Sequence, residues 1–128
     1  MVFLMNKKAK VLIVDDQEGV RELLLETCLV LGYEADAIDS GQEALGLVQK
    51  NNYQLVLVDM KMPGLDGLTT TEQILEMNKQ LKVVMITGFD DSEDDLKEIS
   101  ENPQVVAVMK KPFAIKELEK ILAENIAG

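Results

Sequence analysis

The chain has 128 residues, of which 47% are hydrophobic and 28% charged, a composition typical of one soluble globular domain with its own core. Its 23 acidic and 13 basic residues give a net charge of −10, which opposes direct binding to nucleic acid. The absence of histidine excludes a phosphohistidine donor, a Ser-His-Asp triad and a His-containing zinc site, and no apolar stretch reaches the length of a membrane span or a signal peptide.

Five apolar runs alternate with amphipathic segments along the chain and predict five β-strands and five α-helices. The predicted strands cover residues 11–14, 33–38, 55–58, 83–86 and 105–109. Strands that are apolar throughout and separated by helices indicate a parallel sheet with helices on both faces. We expect one domain over residues 1–128, in the reducing cytoplasm because the lone Cys28 cannot form an internal disulfide.

The first predicted helix follows Asp15-Asp16 and ends at Gly32, where a left-handed residue is expected. Ser40 and Glu43 have the spacing of a capping box, which opens a second helix that extends to about Lys50. Apolar residues at spacings of three and four give the first helix an inward stripe, which makes Cys28 a buried structural thiol: Val20, Leu23, Leu24, Thr27, Cys28 and Leu31.

A third helix is predicted from about Asp66 to Asn78, with Asp66 as its N-cap. A fourth follows a second possible capping box, Ser92 and Asp95, and has few apolar anchors, Leu96 and Ile99. The acidic run 90–95 is interpreted as the solvated start of this helix rather than a second metal site. The fifth helix places four apolar residues on one face: Ile115, Leu118, Ile121 and Leu122.

The polar residues at the ends of these strands are the candidates for a functional site. Asp15 and Asp16 follow the first strand, Asp59 the third, Thr87 the fourth and Lys111 the fifth. Ligand sites of open α/β sheets lie at the carboxyl ends of the parallel strands, so these side chains are expected to converge. Grouped carboxylates repel one another, and an oxygen-only ligand set with room for water and phosphate suits Mg²⁺.

Four motifs occur in order at these strand ends: Val14-Asp15-Asp16, the segment 59–67, Thr87-Gly88 and Lys111-Pro112-Phe113. In this combination the chain, from about residue 10 to 123, resembles the response-regulator receiver domain of two-component signal transduction. The resemblance implies a flavodoxin-like, doubly wound, five-stranded parallel sheet of order 2-1-3-4-5. It also implies a signalling switch rather than an enzyme, one that assists its own phosphorylation and dephosphorylation.

The resemblance assigns a role to each motif residue. Asp59 would accept the phosphoryl group and contact Mg²⁺, with Asp16 a direct ligand and Asp15 acting through the metal or its waters. The backbone carbonyl of Lys61 would be a further ligand. Thr87 and Lys111 would each bind a phosphoryl oxygen, and the Lys111-Pro112 peptide bond would be cis.

The resemblance further implies a sensor histidine kinase or a phosphotransfer protein as the donor, and a downstream protein that the sequence does not identify. It leaves open a phosphorylation-dependent homodimer, and a stand-alone protein versus part of a longer regulator. The chain departs from the family at Val108, where an aromatic switch residue is usual, and at Gly88, where alanine is commoner. Phe89 and the Lys61 side chain are expected to flank the site.

The same residues also allow simpler structural roles and other functions. Asp15 and Asp16 alone could simply cap a helix, and Asp66-Gly67 is interpreted as an N-cap and turn. A haloacid-dehalogenase-type phosphatase would need a second aspartate two positions after the nucleophile, where Gln17 or Glu18 stands. An FMN-binding module would need a phosphate loop rich in Ser, Thr and Gly, and an unphosphorylated adaptor would normally have lost one of the key residues.

Overall fold

The structure is a computed structural model that describes residues 10–62, 66–88 and 93–126. Within them the five predicted strands and five predicted helices all occur, in the predicted order. The strands are β1 (Lys10–Val14), β2 (Glu34–Ile38), β3 (Leu55–Asp59), β4 (Lys82–Thr87) and β5 (Val105–Lys110). The helices are α1 (Glu18–Val30), α2 (Gly41–Lys50), α3 (Gly67–Met77), α4 (Glu93–Ser100) and α5 (Ile115–Asn125).

All five strands are parallel and form one sheet in the order β2-β1-β3-β4-β5, which confirms the expected flavodoxin-like topology. The chain moves from β1 to one side of the sheet and then returns to the other side at β3. The switch point therefore lies between β1 and β3, where a crevice opens at their carboxyl ends.

Alternate residues of the central strands pack into two separate apolar layers, one on each face of the sheet. Leu12 and Val14 of β1 join the layer under α2, α3 and α4, whereas Val11 and Ile13 join the layer under α1 and α5. This division follows from the two-residue period of a strand. It explains why the interior positions of β1, β3 and β4 are apolar on both faces of the sheet, whereas the edge strands β2 and β5 are only partly buried.

Several local signals in the sequence have the predicted structural outcome. Gly32 adopts φ +95 after α1. The Ser40 and Asp66 side chains accept the backbone N–H groups of Glu43 and Thr69, as N-caps of α2 and α3. Cys28 is buried, and this burial raises the pKa of its thiol to about 11, as expected of a structural thiol.

The predicted stripe of α1 is wrong in part. Leu24 and Cys28 are fully buried, but Leu23 and Leu31 are 45% and 42% exposed. Leu23 stands about 100° from Leu24 around the helix, beyond the line that contacts the sheet. Leu31 is already the C-cap residue, past the last turn that packs. Periodicity therefore overestimated the width of the buried face.

The two anchors predicted for α4 are confirmed, since Ile99 is buried and Leu96 packs partly against the same layer, while the low stability of this helix stays a prediction. The possible cap at Ser92 and the first half of the acidic run, residues 90–92, lie outside the described residues. In the part of the chain that the structure describes, none of the helices combines the length and apolarity that a bilayer crossing needs.

Gly67, the first residue of α3, packs directly against backbone at the end of β3. A Cβ atom at this position would lie 2.0 Å from the Asp59 carbonyl oxygen and 2.4 Å from the Met60 Cα. Both neighbours are backbone, so neither can swing aside. Only a glycine lets the start of α3 approach the residue pair that leaves β3.

We expect Gly67→Ala to lower the free energy of unfolding by about 1–3 kcal/mol, because it overpacks a backbone contact. Gly46→Ala in α2 is the matched control, since a Cβ there has no atom within 4 Å. That change should be neutral or stabilising by about 0.5–1 kcal/mol. Urea unfolding of the two variants measures both effects, and equal stabilities would contradict the assignment.

Candidate functional site

The strand register brings the predicted site residues to one point. Val14 of β1 is paired with Val58 of β3, so Asp15 and Asp59 follow directly on neighbouring strands. Asp59 is in turn paired with Ile86, the residue before Thr87. Thr87 pairs with Lys110, and the Lys111 N–H donates to the Thr87 carbonyl at 2.8 Å. The convergence expected from the sequence is thus a consequence of parallel pairing.

Lys111 lies between the two buried carboxylates. Its Nζ is 3.3 Å from Asp15 Oδ2 and 3.3 Å from Asp59 Oδ2, and it donates a hydrogen bond to the second of these. The Lys111-Pro112 peptide bond is cis, as expected. Asp15 is fully buried and Asp59 is 3% exposed, so this ammonium group offsets charge that solvent reaches poorly.

The three carboxylates form a compact acidic cluster. One oxygen each of Asp15, Asp16 and Asp59 lies within 4.8 Å of the others, and Asp16 is the exposed member. An open cleft of about 540 Å³ adjoins the cluster, and its lining residues are Asp16, Gln17, Asp59, Lys61, Met62, Gly88 and Lys111.

Each buried carboxylate has one oxygen held by backbone and one turned to the cluster. Asp15 Oδ1 accepts the Gln17 N–H at 2.9 Å, and Asp59 Oδ1 accepts the Lys61 N–H at 3.1 Å. Asp15 Oδ2 has no hydrogen-bond partner within the described residues, although Lys111 is at ion-pair distance. A buried carboxylate oxygen without a hydrogen bond is costly, and a cation is the ligand that would satisfy it.

These residues fit a divalent cation of the Mg²⁺ type. The group offers carboxylate oxygens alone, a ligand set that favours hard cations, and the adjoining cleft has space for waters and a phosphate. Asp15, Asp16 and Asp59 would hold the ion. The Lys61 carbonyl, also predicted as a ligand, stays a prediction.

The environment of Asp59 disfavours its charged form. Burial raises the pKa of this carboxyl group from 3.8 to about 6, and the nearby charge of Asp15 adds to the effect. The Lys61 N–H and the Lys111 ammonium oppose the rise without cancelling it. The site is therefore electrostatically unfavourable on its own, a condition that bound positive charge would relieve.

Thr87 is buried beside the cluster, 3% exposed, and its hydroxyl donates to the Met109 carbonyl at a long 3.5 Å. Val108, at the position where the family has an aromatic residue, is 43% exposed on β5. Phe89 and the segment 63–65 lie outside the described residues. Lys61 is one of the residues that line the cleft.

Sequence reasoning missed the part that Gln17 takes in the site. Its side-chain oxygen accepts a hydrogen bond from Lys111 Nζ, across 94 positions of sequence. Reasoning from the sequence considered Gln17 only as a departure from the phosphatase pattern. Its place directly after the Asp15-Asp16 pair was a usable signal, but nothing local predicts which way the side chain turns.

A family profile described as the response regulator receiver domain matches residues 11–123. The chain is 36% identical over 115 residues to sporulation initiation phosphotransferase F of Bacillus subtilis (strain 168), with 90% of each chain covered. It is 34% identical to the probable transcriptional regulator ycf27 of Porphyra purpurea over 89% of its own length, but spans only 46% of that protein.

Solved structures show the same fold. The response regulator protein TrrA from Thermotoga maritima, solved in complex with Mg²⁺–BeF, superposes with a TM-score of 0.81 at 31% identity. The match covers 92% of this chain and 99% of that one.

The raised pKa of Asp59 predicts a pH-dependent effect on stability in metal-free buffer. Between about pH 4 and pH 6 the folded protein binds more protons than the unfolded chain, so the free energy of unfolding falls as pH rises. Above that interval, ionised Asp59 costs the folded state on the order of 2–3 kcal/mol. Asp59→Asn should therefore be more stable than wild type at about pH 8, and the difference should vanish below about pH 4.

Urea unfolding with EDTA across this pH range measures the difference. Asp39→Asn, which removes an exposed carboxylate, is the control and should show a much smaller dependence. Adding Mg²⁺ at high pH should stabilise wild type and narrow its difference from Asp59→Asn. A difference independent of pH would contradict the electrostatic account.

Proposed function

The chain belongs to the response regulator receiver family of two-component systems, and from this premise we propose that it is a phosphoacceptor switch whose acceptor is Asp59. The phosphoryl group would come from the phosphohistidine of a sensor histidine kinase or a phosphotransfer protein. The observation that carries the proposal is the position of Lys111 Nζ, 3.3 Å from a carboxylate oxygen of Asp15 and of Asp59. The ammonium group of Lys111 thus links the predicted phosphoacceptor to a predicted metal ligand.

In the proposed transfer, an Asp59 carboxylate oxygen forms a bond to phosphorus as the bond from phosphorus to the donor's imidazole nitrogen breaks. The imidazole keeps the electron pair of that bond and takes a proton from solvent. Asp59 Oδ2 faces the cluster, whereas Oδ1 is held by the Lys61 N–H, so Oδ2 is the oxygen we assign as nucleophile.

The remaining residues stabilise charge in the transfer. Lys111 donates to Asp59 Oδ2 at 3.3 Å and is close enough to donate to an oxygen of the incoming group. Bound Mg²⁺ would neutralise oxygens of the transferred group. Asp15 and Asp16 would hold the ion, and Thr87 would bind a further phosphoryl oxygen after its hydroxyl leaves the Met109 carbonyl.

The proposed output is a shift between two arrangements of the surface near α4, β5 and α5. The Thr87 hydroxyl bonds Met109 of β5 at 3.5 Å, a length at which little energy opposes its release. Added charge on Asp59 would attract this hydroxyl and so change the contact between β4 and β5. With Val108 in place of an aromatic residue, we assign the switch to Thr87 and its β5 partner.

We propose a signalling role rather than an enzymatic one, because the product of the transfer stays on the chain. A phosphatase of the haloacid-dehalogenase type remains the alternative enzyme, and the Gln17 side chain argues against it. That chemistry needs a second aspartate two positions after the nucleophile, and two positions after Asp15 a neutral amide bonds Lys111 instead. Turnover of phosphate esters would separate the two functions. The cytoplasmic location, the homodimer and the downstream protein stay predictions.

Incubation with acetyl phosphate and Mg²⁺ should add one phosphoryl unit to the protein, measured by intact mass. We expect the adduct to be absent from Asp59→Asn and to disappear when EDTA removes the metal, because both the nucleophile and the bound charge are needed. Asp39→Asn is the carboxylate control and should be labelled like wild type. Equal labelling of wild type and Asp59→Asn would refute the assignment.

Thr87→Ala should leave Mg²⁺ affinity close to that of wild type, because the hydroxyl bonds a β5 carbonyl rather than a carboxylate of the cluster. It should weaken the change in the amide NMR spectrum of β5 that follows phosphorylation. Thr87→Ser keeps a hydroxyl at the same position and should preserve most of the change. Loss of Mg²⁺ binding in Thr87→Ala, measured by calorimetry, would show that the proposed division of roles is wrong.

A further inference from the structure

Gln17 is the N-cap residue of α1, yet its side chain does not cap the helix. N-cap side chains normally accept a backbone N–H of the first turn, and Gln17 makes no such bond. Its Oε1 instead accepts a hydrogen bond from the Nζ of Lys111, the residue that follows β5. The side chain thus contacts the site rather than stabilising its own helix.

The backbone of Gln17 is held on both sides. Its N–H donates to Asp15 Oδ1 at 2.9 Å, and its carbonyl accepts the Arg21 N–H at 2.9 Å as α1 begins. Arg21 Nη1 also donates to the Asp15 carbonyl at 3.0 Å. The position of the Gln17 side chain is therefore fixed through Asp15, which is itself a member of the carboxylate cluster.

The contact helps to define the direction of the Lys111 ammonium group, which also lies 3.3 Å from Asp15 Oδ2 and from Asp59 Oδ2. This group has three N–H donors, of which one bonds Asp59 Oδ2 and another bonds Gln17 Oε1. A lysine side chain has four rotatable bonds, and it loses much rotamer freedom when its ammonium group is held at one point. Because the amide oxygen of Gln17 is neutral, it orients the ammonium group without pairing its charge.

We propose that Gln17 is a positioning residue for phosphoryl transfer, which holds Lys111 so that one N–H points at the group arriving on Asp59. The inference rests on the proposed function. It differs from the role of Asp15 and Asp16, since Gln17 acts on the lysine and not on the metal. Removing the amide should slow transfer while leaving Mg²⁺ affinity unchanged.

Gln17→Ser tests this proposal and separates it from a structural role. Serine is a preferred N-cap, so the variant should unfold at the same temperature as wild type or higher, but its side chain is too short to reach Lys111. With saturating acetyl phosphate and Mg²⁺, we expect the labelling rate to fall on the order of tenfold, the effect of one lost hydrogen bond to a charged group. Glu22→Ala, an exposed change on the same helix, should keep the wild-type rate.

The second measurement is made on metal-free protein without a phosphodonor. In ¹⁵N NMR at low temperature, the Lys111 ammonium signal, identified by its loss in Lys111→Met, should be observable in wild type and broadened by exchange in Gln17→Ser. An unchanged signal would overturn the proposal. So would an unchanged rate, or a faster rate, which would mean that Gln17 withholds Lys111 from the incoming group.

The outcomes also distinguish this inference from the proposed function. If wild type takes no label, the proposed function fails and the inference with it. If wild type is labelled and Gln17→Ser is labelled equally fast, only the inference fails. If Gln17→Ser is slower with a phosphohistidine protein but not with acetyl phosphate, Gln17 contacts the protein donor, and its assignment as a positioning residue is wrong.

Discussion

The repulsion between two buried carboxylates is the constraint on which this site depends. Asp15 and Asp59 follow paired residues on adjacent parallel strands, so backbone pairing itself forces their side chains together. Both are almost fully buried, which weakens the screening that water would provide. Lys111 offsets part of the charge, but the pKa of Asp59 stays raised, mainly because burial disfavours the ionised carboxyl and to a smaller extent because of the Asp15 charge. The site is prepared for additional positive charge.

The surrounding backbone keeps this unfavourable arrangement from relaxing. The Gln17 and Lys61 N–H groups each hold one carboxylate oxygen, which leaves the other directed at the cluster. Gly67 lets the start of α3 pack against the end of β3, so the backbone of Asp59 and Met60 has little room to move. Charge repulsion at such a site destabilises the fold, and the packing of the two apolar layers on the faces of the sheet offsets this cost.

Much of this could be predicted from the sequence, and the failures have local causes. Asp66 and Ser40 cap their helices as predicted, because capping depends on neighbouring residues. The burial of Leu23 was overestimated, because the width of a buried helix face depends on the sheet that it covers. Gln17 was passed over as a site residue because its hydrogen-bond partner is 94 residues away, beyond the range of any motif.

The sequence by itself determined the type and order of the elements and the residue types at the strand ends, because strand and helix periods and turn chemistry are local. The strand order was reached only through a family resemblance. Tertiary structure decided the strand register and the burial of Asp59. It also decided the contact of Lys111 with both buried carboxylates and the orientation of the Gln17 side chain. These depend on distances between segments that are far apart in the chain, and a pKa or an ion pair exists only once those distances are set.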